Sequence, residues 1–167
     1  MDVAQTDGMA LDPANIVRSE RIEIDAPASI VWEILTDFAA YKAWNPFCVE
    51  CDSKLEMGAA VNMKLASYTM PGQIVPNVEY ICAIEPERLI SWELPYMEIW
   101  PYPARRDQII EPLGDDRCSY ISTDAFFQDN GTHVMRFCGD WVKRAFDDTA
   151  IALKARAEEM HASRKAG

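Results

Sequence analysis

The sequence predicts an α+β domain in which a seven-stranded antiparallel sheet wraps around a long C-terminal helix, with two short helices after the first strand. Three features predict it. The spacing changes from alternating to helical at Asp25-Ala26-Pro27, β-rich segments recur regularly from Phe47 to Phe127, and an apolar stripe repeats every three or four residues from Cys138 to Met160. A chain of 167 residues, 49% of them hydrophobic, supports one domain with a core. That domain is expected over 16–163, with the polar, aperiodic residues 1–15 a mobile tail.

The elements follow in order. The segment R-S-E-R-I-E-I-D from Arg18 alternates, with Ile22 and Ile24 on one face of a first strand. Pro27 then sits in the first turn of a helix, where its missing N–H is harmless, and Ile30, Val31, Ile34, Leu35 and Phe38 supply the helical stripe. Tyr41 and Trp44 extend this into a second short helix. It ends before Pro46, because the residue preceding a proline is driven out of the α region. Strands are expected at 47–53, 59–67, 74–84, 89–94, 105–111 and 118–127, broken at Met57-Gly58, Pro71-Gly72, Glu85-Pro86, Pro95 to Pro103 and Gly114-Asp115-Asp116. Such regular spacing implies an antiparallel meander. After Asp129-Asn130-Gly131, Cys138, Val142, Ala145, Thr149, Leu153 and Met160 form one face of the closing helix, edged by Trp141 and Phe146. Its other face carries Asp140, Lys143, Arg144, Asp147, Lys154 and Glu158, an ordinary solvated surface.

Composition excludes several partners. A net charge of −11 opposes nucleic acid and anionic membranes, which need clustered Lys and Arg. No run of about 18 apolar residues spans a bilayer, and the N-terminus lacks a basic, apolar leader, so a cytoplasmic location is expected. Five cysteines make a disulfide framework implausible. Cys48 and Cys51 form a C-x-x-C, but in a strand, where residues three apart are expected on opposite faces. No metal and no cofactor are expected, since Gly-rich phosphate loops, G-x-S-x-G and H-E-x-x-H are all lacking.

The stretches IEIDAPASIVWEILTDFAAYKAWNPF at 22–47, IEPERLISWEL at 84–94, FCGDWVKRAF at 137–146 and ALKARAEE at 152–159 resemble the SRPBCC superfamily of helix-grip proteins. That superfamily includes START lipid-transfer domains and polyketide cyclase/dehydrase-like proteins. The resemblance covers about residues 18–160. It implies a deep cavity between the sheet and the long helix for an apolar or aromatic small molecule, but no shared catalytic motif. It also sets Trp44 and Phe47 at a cavity end, as lining or as plug.

The hairpin around Gly114-Asp115-Asp116 sets a register in which Ile110 faces Tyr120, Gln108 faces Ser122 and Arg106 faces Asp124. Aligning Ile110 and Phe126 with the family's inward positions turns this polar set toward the cavity. A one-residue slip would turn it out as a plain surface salt bridge. Inside, Asp124 is the candidate proton-transfer group and Arg106 the candidate oxyanion partner, with His133 near the pocket mouth as an alternative base. Candidate ligand contacts are Trp44, Phe47, Tyr80, Trp92, Gln108, Tyr120, Ser122, Phe126, Trp141, Ala145 and Thr149, with Tyr80 and Trp92 facing in if Ile84 and Leu94 do. The aromatic segment 95–103 is either a lid or an exposed patch.

The first function this supports is a binder of a hydrophobic, aromatic small molecule. The second is a cofactor-independent cyclase, dehydrase or carbon–carbon lyase acting on an aromatic substrate in the same pocket. The third is a protein-interaction module, marked by an exposed apolar patch with a filled cavity. Oligomeric state is left open, a homodimer included.

Overall fold

A computed structural model describes Thr6 and residues 8–166. Period-2 segments become β1 (Ile16–Arg18), β2 (Ile22–Ile24), β3 (Cys48–Asp52), β4 (Ala60–Ala66), β5 (Ile74–Glu85), β6 (Leu89–Leu94), β7 (Ala104–Gly114) and β8 (Arg117–Phe126). Period-3.6 segments become α1 (Ala28–Thr36) and α2 (Gly131–Ala166), and the second predicted helix is a 3-10 segment, Phe38–Ala43. All strand pairs are antiparallel, in the order β1-β8-β7-β6-β5-β4-β3, with β2 also on β8.

The long helix packs across the inner face against β8, β1, β2 and α1. Its buried side is Val142, Ala145, Phe146, Thr149, Ala150, Leu153 and Ala157, and these meet Ile24, Leu35, Tyr120, Phe47 and Trp92 in the core. Lys143–Asp147 and Lys154–Glu158, at 2.8 and 2.6 Å, are half-buried rather than on a solvated face and also bond to Glu20, Glu23 O and Asp25 N beside β2. At the start of α2 a Cβ on Gly131 would collide with the Phe126 carbonyl, so the strand-to-helix corner requires glycine there. No described helix is long and apolar enough to cross a membrane.

Besides a register shift between Pro112 and Gly114 at the tip of the β7–β8 hairpin, three irregularities depart from simple alternation. The predicted first strand is two: Arg18 pairs with Thr123 but Ile22 with Tyr120, so one residue is extra. Ser19 covers the gap, its Oγ accepting from Ser122 N at 3.0 Å. A second bulge between Ile81 and Ala83 turns both Ile81 and Ile84 inward. The third, between Cys48 and Glu50, sets Cys48 opposite Leu65 and Cys51 opposite Met63. Both cysteines are therefore buried on the inner face, against the opposite-face expectation.

The segment 1–15, expected to be a mobile tail, has residues 1–5 and 7 outside the described residues. Its remainder is packed. Thr6 donates from N and Oγ1 to Glu93 at 2.9 and 2.7 Å, Gln128 N donates to Ala10 O at 2.7 Å, and buried Asn15 donates to Thr132 Oγ1 at 3.2 Å. The carboxylate of Glu93, only 2% exposed on the outer face of β6, needs such donors.

Candidate functional site

The centre of the sheet carries a polar set on its inner face. Arg106 pairs with Asp124, Gln108 with Ser122 and Ile110 with Tyr120, while Trp92 on β6 lies across from Arg106. The register is the one expected, and all four polar side chains are buried. Glu79 joins them from β5.

Arg106 Nη2 stands 3.5 Å from Glu79 Oε1 and 3.7 Å from Asp124 Oδ2. Its guanidinium also lies over the rings of Phe146 and Phe47, 5.0 and 5.6 Å from their centroids. Burial disfavours its charge, yet the two carboxylates outweigh burial and raise its pKa above the ordinary value. Two carboxylates share one cation. Burial foremost, with the charges of Glu79 and Asp107, pushes the Asp124 carboxyl up to about 7 against the opposing pull of Arg106. Burial also raises the Tyr120 phenol above its ordinary range, so it stays neutral and donates to Gln108 Oε1 at 2.6 Å.

This set borders a cavity of about 20 Å³ lined by Tyr41, Asn45, Phe47, Cys48, Trp92, Arg106, Gln108, Tyr120, Ser122, Phe146 and Thr149. The volume suits about one water-sized molecule, not the deep hollow expected. Aromatic side chains occupy the difference: Phe47 meets Phe146 and Trp141 at 6.2 Å and Tyr68 at 5.8 Å, and Trp92 meets Phe38 at 6.4 Å. Two donors on this wall, Arg106 Nε and Trp92 Nε1, are buried without a hydrogen-bond partner among the described residues. Trp44 Nε1 shares that condition but does not border the cavity.

Of the predicted contacts, Phe47, Trp92, Gln108, Tyr120, Ser122, Thr149 and Arg106 border the cavity. Asp124 does not border it but stands 3.7 Å from Arg106 Nη2. Phe126 and Ala145 are buried core, and Trp44 and Trp141 pack against it partly exposed, none of the four bordering the cavity. Tyr80 is a correction: it pairs with Glu93 and Ala60 on the outer face, because the bulge after Ile81 reverses the parity that Ile84 suggests. His133 is another, exposed on the first turn of α2 and outside the lining.

The sequence reading missed Glu79 and Cys48, both turned in by bulges that carry no residue signature, and Phe146, taken as a helix edge. Tyr41 also borders the cavity, but its hydroxyl is committed to Leu35 O at 2.7 Å. Asn45 Oδ1 accepts from Phe47 N and Cys48 N at 2.9 and 2.8 Å, a turn that fixes where β3 begins.

A groove of about 560 Å³ lies on the sheet's outer face between Met9, Leu11, Arg18, Ile109 and Thr123. Its central carboxylate is already satisfied, Asp107 accepting from Ser91 Oγ at 2.5 Å and Arg105 Nε at 2.8 Å. The unmet donors Arg106 Nε and Trp92 Nε1 belong to residues of the inner face, which is where we place the site.

The family model described as polyketide cyclase/dehydrase and lipid transport matches residues 16–158. Among solved structures, a START superfamily protein from Mycobacterium smegmatis is 19% identical, covering 87% of this chain and 98% of its own at a TM-score of 0.65. The Zhui aromatase/cyclase from Streptomyces sp. R1128 is 16% identical, covering 90% and 94% at 0.63. One di-domain aromatase/cyclase, StfQ of the steffimycin biosynthetic pathway, is 7% identical and covers 91% of this chain and 52% of its own at 0.63. At such identities these likenesses establish the helix-grip fold alone. No curated protein matches the chain significantly.

Proposed function

We propose that this chain, which belongs to the polyketide cyclase/dehydrase and lipid transport family, binds a small hydrophobic, aromatic molecule bearing an acceptor oxygen between the sheet and α2. The observation that carries this is the pair of buried donors, Arg106 Nε and Trp92 Nε1, on residues of a wall that mixes aromatic rings with Asn45, Gln108, Ser122 and Thr149. A buried donor left unpaired costs on the order of 1–3 kcal/mol, which a carbonyl, phenol or carboxylate oxygen would recover. Admission requires room beyond the present cavity. Phe47, edge-on to the partly exposed Tyr68 and Trp141, is the side chain whose rotation opens it.

A second reading, a cofactor-independent cyclase, dehydrase or carbon–carbon lyase, is favoured by Asp124. A carboxyl titrating near 7 can take and return a proton at neutral pH. In that reading Arg106 stabilises the developing oxyanion, and substrate must draw Arg106 aside to reach Asp124. Asp124→Asn would then abolish turnover and leave binding intact.

The test is a thermal-shift screen with aromatic acids, phenols, polyketide-like and lipid-like compounds, followed by mass spectrometry of each hit. A stabilising compound recovered unchanged supports binding, and one converted to product supports the enzyme. If no compound stabilises the chain, the exposed Ile99 and Trp100 of the 95–103 loop, 91% and 52% accessible, become the better guide and point to a protein contact.

A further inference from the structure

The bulge in β3 has a chemical consequence independent of the ligand. By placing Cys48 opposite Leu65 and Cys51 opposite Met63, it puts two thiols at adjacent positions of one strand face. Two residues of strand rise, about 6.6 Å, is within the upper end of the Cα separation that a disulfide spans. Both side chains are buried, at 4% and 6% exposure, and Cys48 borders the small cavity beside Arg106. We propose that Cys48 and Cys51 form a peroxide-reactive dithiol, in which Cys48 is oxidised first and Cys51 closes an intrastrand disulfide onto it.

Electrostatics divides the two roles. A hydrogen bond from Cys51, together with the Arg106 charge, holds the Cys48 thiol below its ordinary pKa, despite burial and the opposing charge of Glu79. The same hydrogen bond and burial raise Cys51, which stays protonated as the resolving thiol. On their own strand, Cys48 Sγ donates to Glu50 O at 3.4 Å, and the charge of Asp52, at the next position and on the opposite face, also raises Cys51. The cavity, about 20 Å³, matches an oxidant of peroxide size better than a larger disulfide reagent.

The chemistry balances. The Cys48 thiolate attacks one peroxide oxygen, the O–O bond breaks, and the departing hydroxide takes a proton and leaves as water. Cys51 sulfur then attacks the sulfenic sulfur, losing its proton. The S–O bond breaks as the S–S bond forms, and a second water leaves. Two thiols have lost two electrons and the peroxide has gained them.

The experiment treats the purified chain with hydrogen peroxide, then alkylates remaining thiols in denaturant and digests with trypsin. Both cysteines fall in one peptide, residues 43–54, between Lys42 and Lys54. Expected is the loss of two of the five alkylatable thiols, with that peptide unalkylated and about 2 Da lighter than its dithiol form. With Cys51→Ser, a cyclic diketone should trap a sulfenic acid on Cys48. Five thiols still alkylated, prior oxidation of Cys82, Cys118 or Cys138, or oxidation of the pair no faster in the native than in the urea-unfolded chain would each overturn the proposal.

Discussion

Glu79 Oε1 reaches to 3.5 Å from the Arg106 guanidinium because the bulge between Ile81 and Ala83 turns Glu79 inward. Without that extra residue β5 would present Tyr80 to the core and leave Arg106 with Asp124 alone. The cluster of two carboxylates on one cation follows from this irregularity, and most of the testable behaviour of the site follows from the cluster.

Arg106→Met leaves Glu79 and Asp124 buried without their cation. Breaking a buried pair in this way costs about 3 kcal/mol or more. The loss should be largest above neutral pH and shrink as acid protonates Asp124, whose carboxyl is raised to about 7, which urea unfolding of wild type and variant at about pH 8 and pH 5 would measure.

Asp124 gives a stability change of definite sign. Its carboxyl is raised to about 7 in the folded chain, against about 3.9 unfolded. Between those values the folded state holds the extra proton. Its contribution is therefore fully present below about pH 4 and is lost as pH rises toward about 7. Asp124→Asn, which cannot ionise, should gain stability relative to wild type over that window. A difference between the two that stays flat with pH would show that Asp124 ionises normally.

His133 lies exposed on α2, outside the cavity lining. His133→Ala should leave ligand affinity and any turnover unchanged and alter stability by no more than about 0.5 kcal/mol. A loss of turnover would restore it as a base.

Asn45 ties the 3-10 segment to β3 through two backbone donors. Asn45→Ala strands both N–H groups and should cost about 2 kcal/mol, whereas Asn45→Asp keeps the acceptor and should cost less. Chemical denaturation of the two variants distinguishes the hydrogen bonds from simple loss of volume.

How far the sequence could be read depended on the parity of each strand. β7 and β8 alternate without interruption from Arg106 to Ile110 and from Tyr120 to Asp124, so their hairpin register and the inward polar set were legible from the turn residues. β3 and β5 each contain a bulge, and a bulge reverses which face a side chain joins without any change in residue type. For that reason Glu79 and Cys48 were missed and Tyr80 was placed on the wrong face. The cavity volume was illegible for another reason: whether Phe47 and Phe146 plug a hollow or rim it depends on packing in three dimensions. The N-terminal segment was illegible because its anchor, Glu93, is 87 residues from Thr6.

The most direct measurement is the NMR response of the Trp92 Nε1–H and Arg106 Nε–H resonances, assigned with Trp92→Phe and Arg106→Lys, as a hit from the thermal screen is titrated in. If the oxygen of the ligand meets the two unpaired donors, both resonances move together in proportion to the fraction bound. Tight binding with both resonances unmoved would place the ligand elsewhere and contradict the inner-face site.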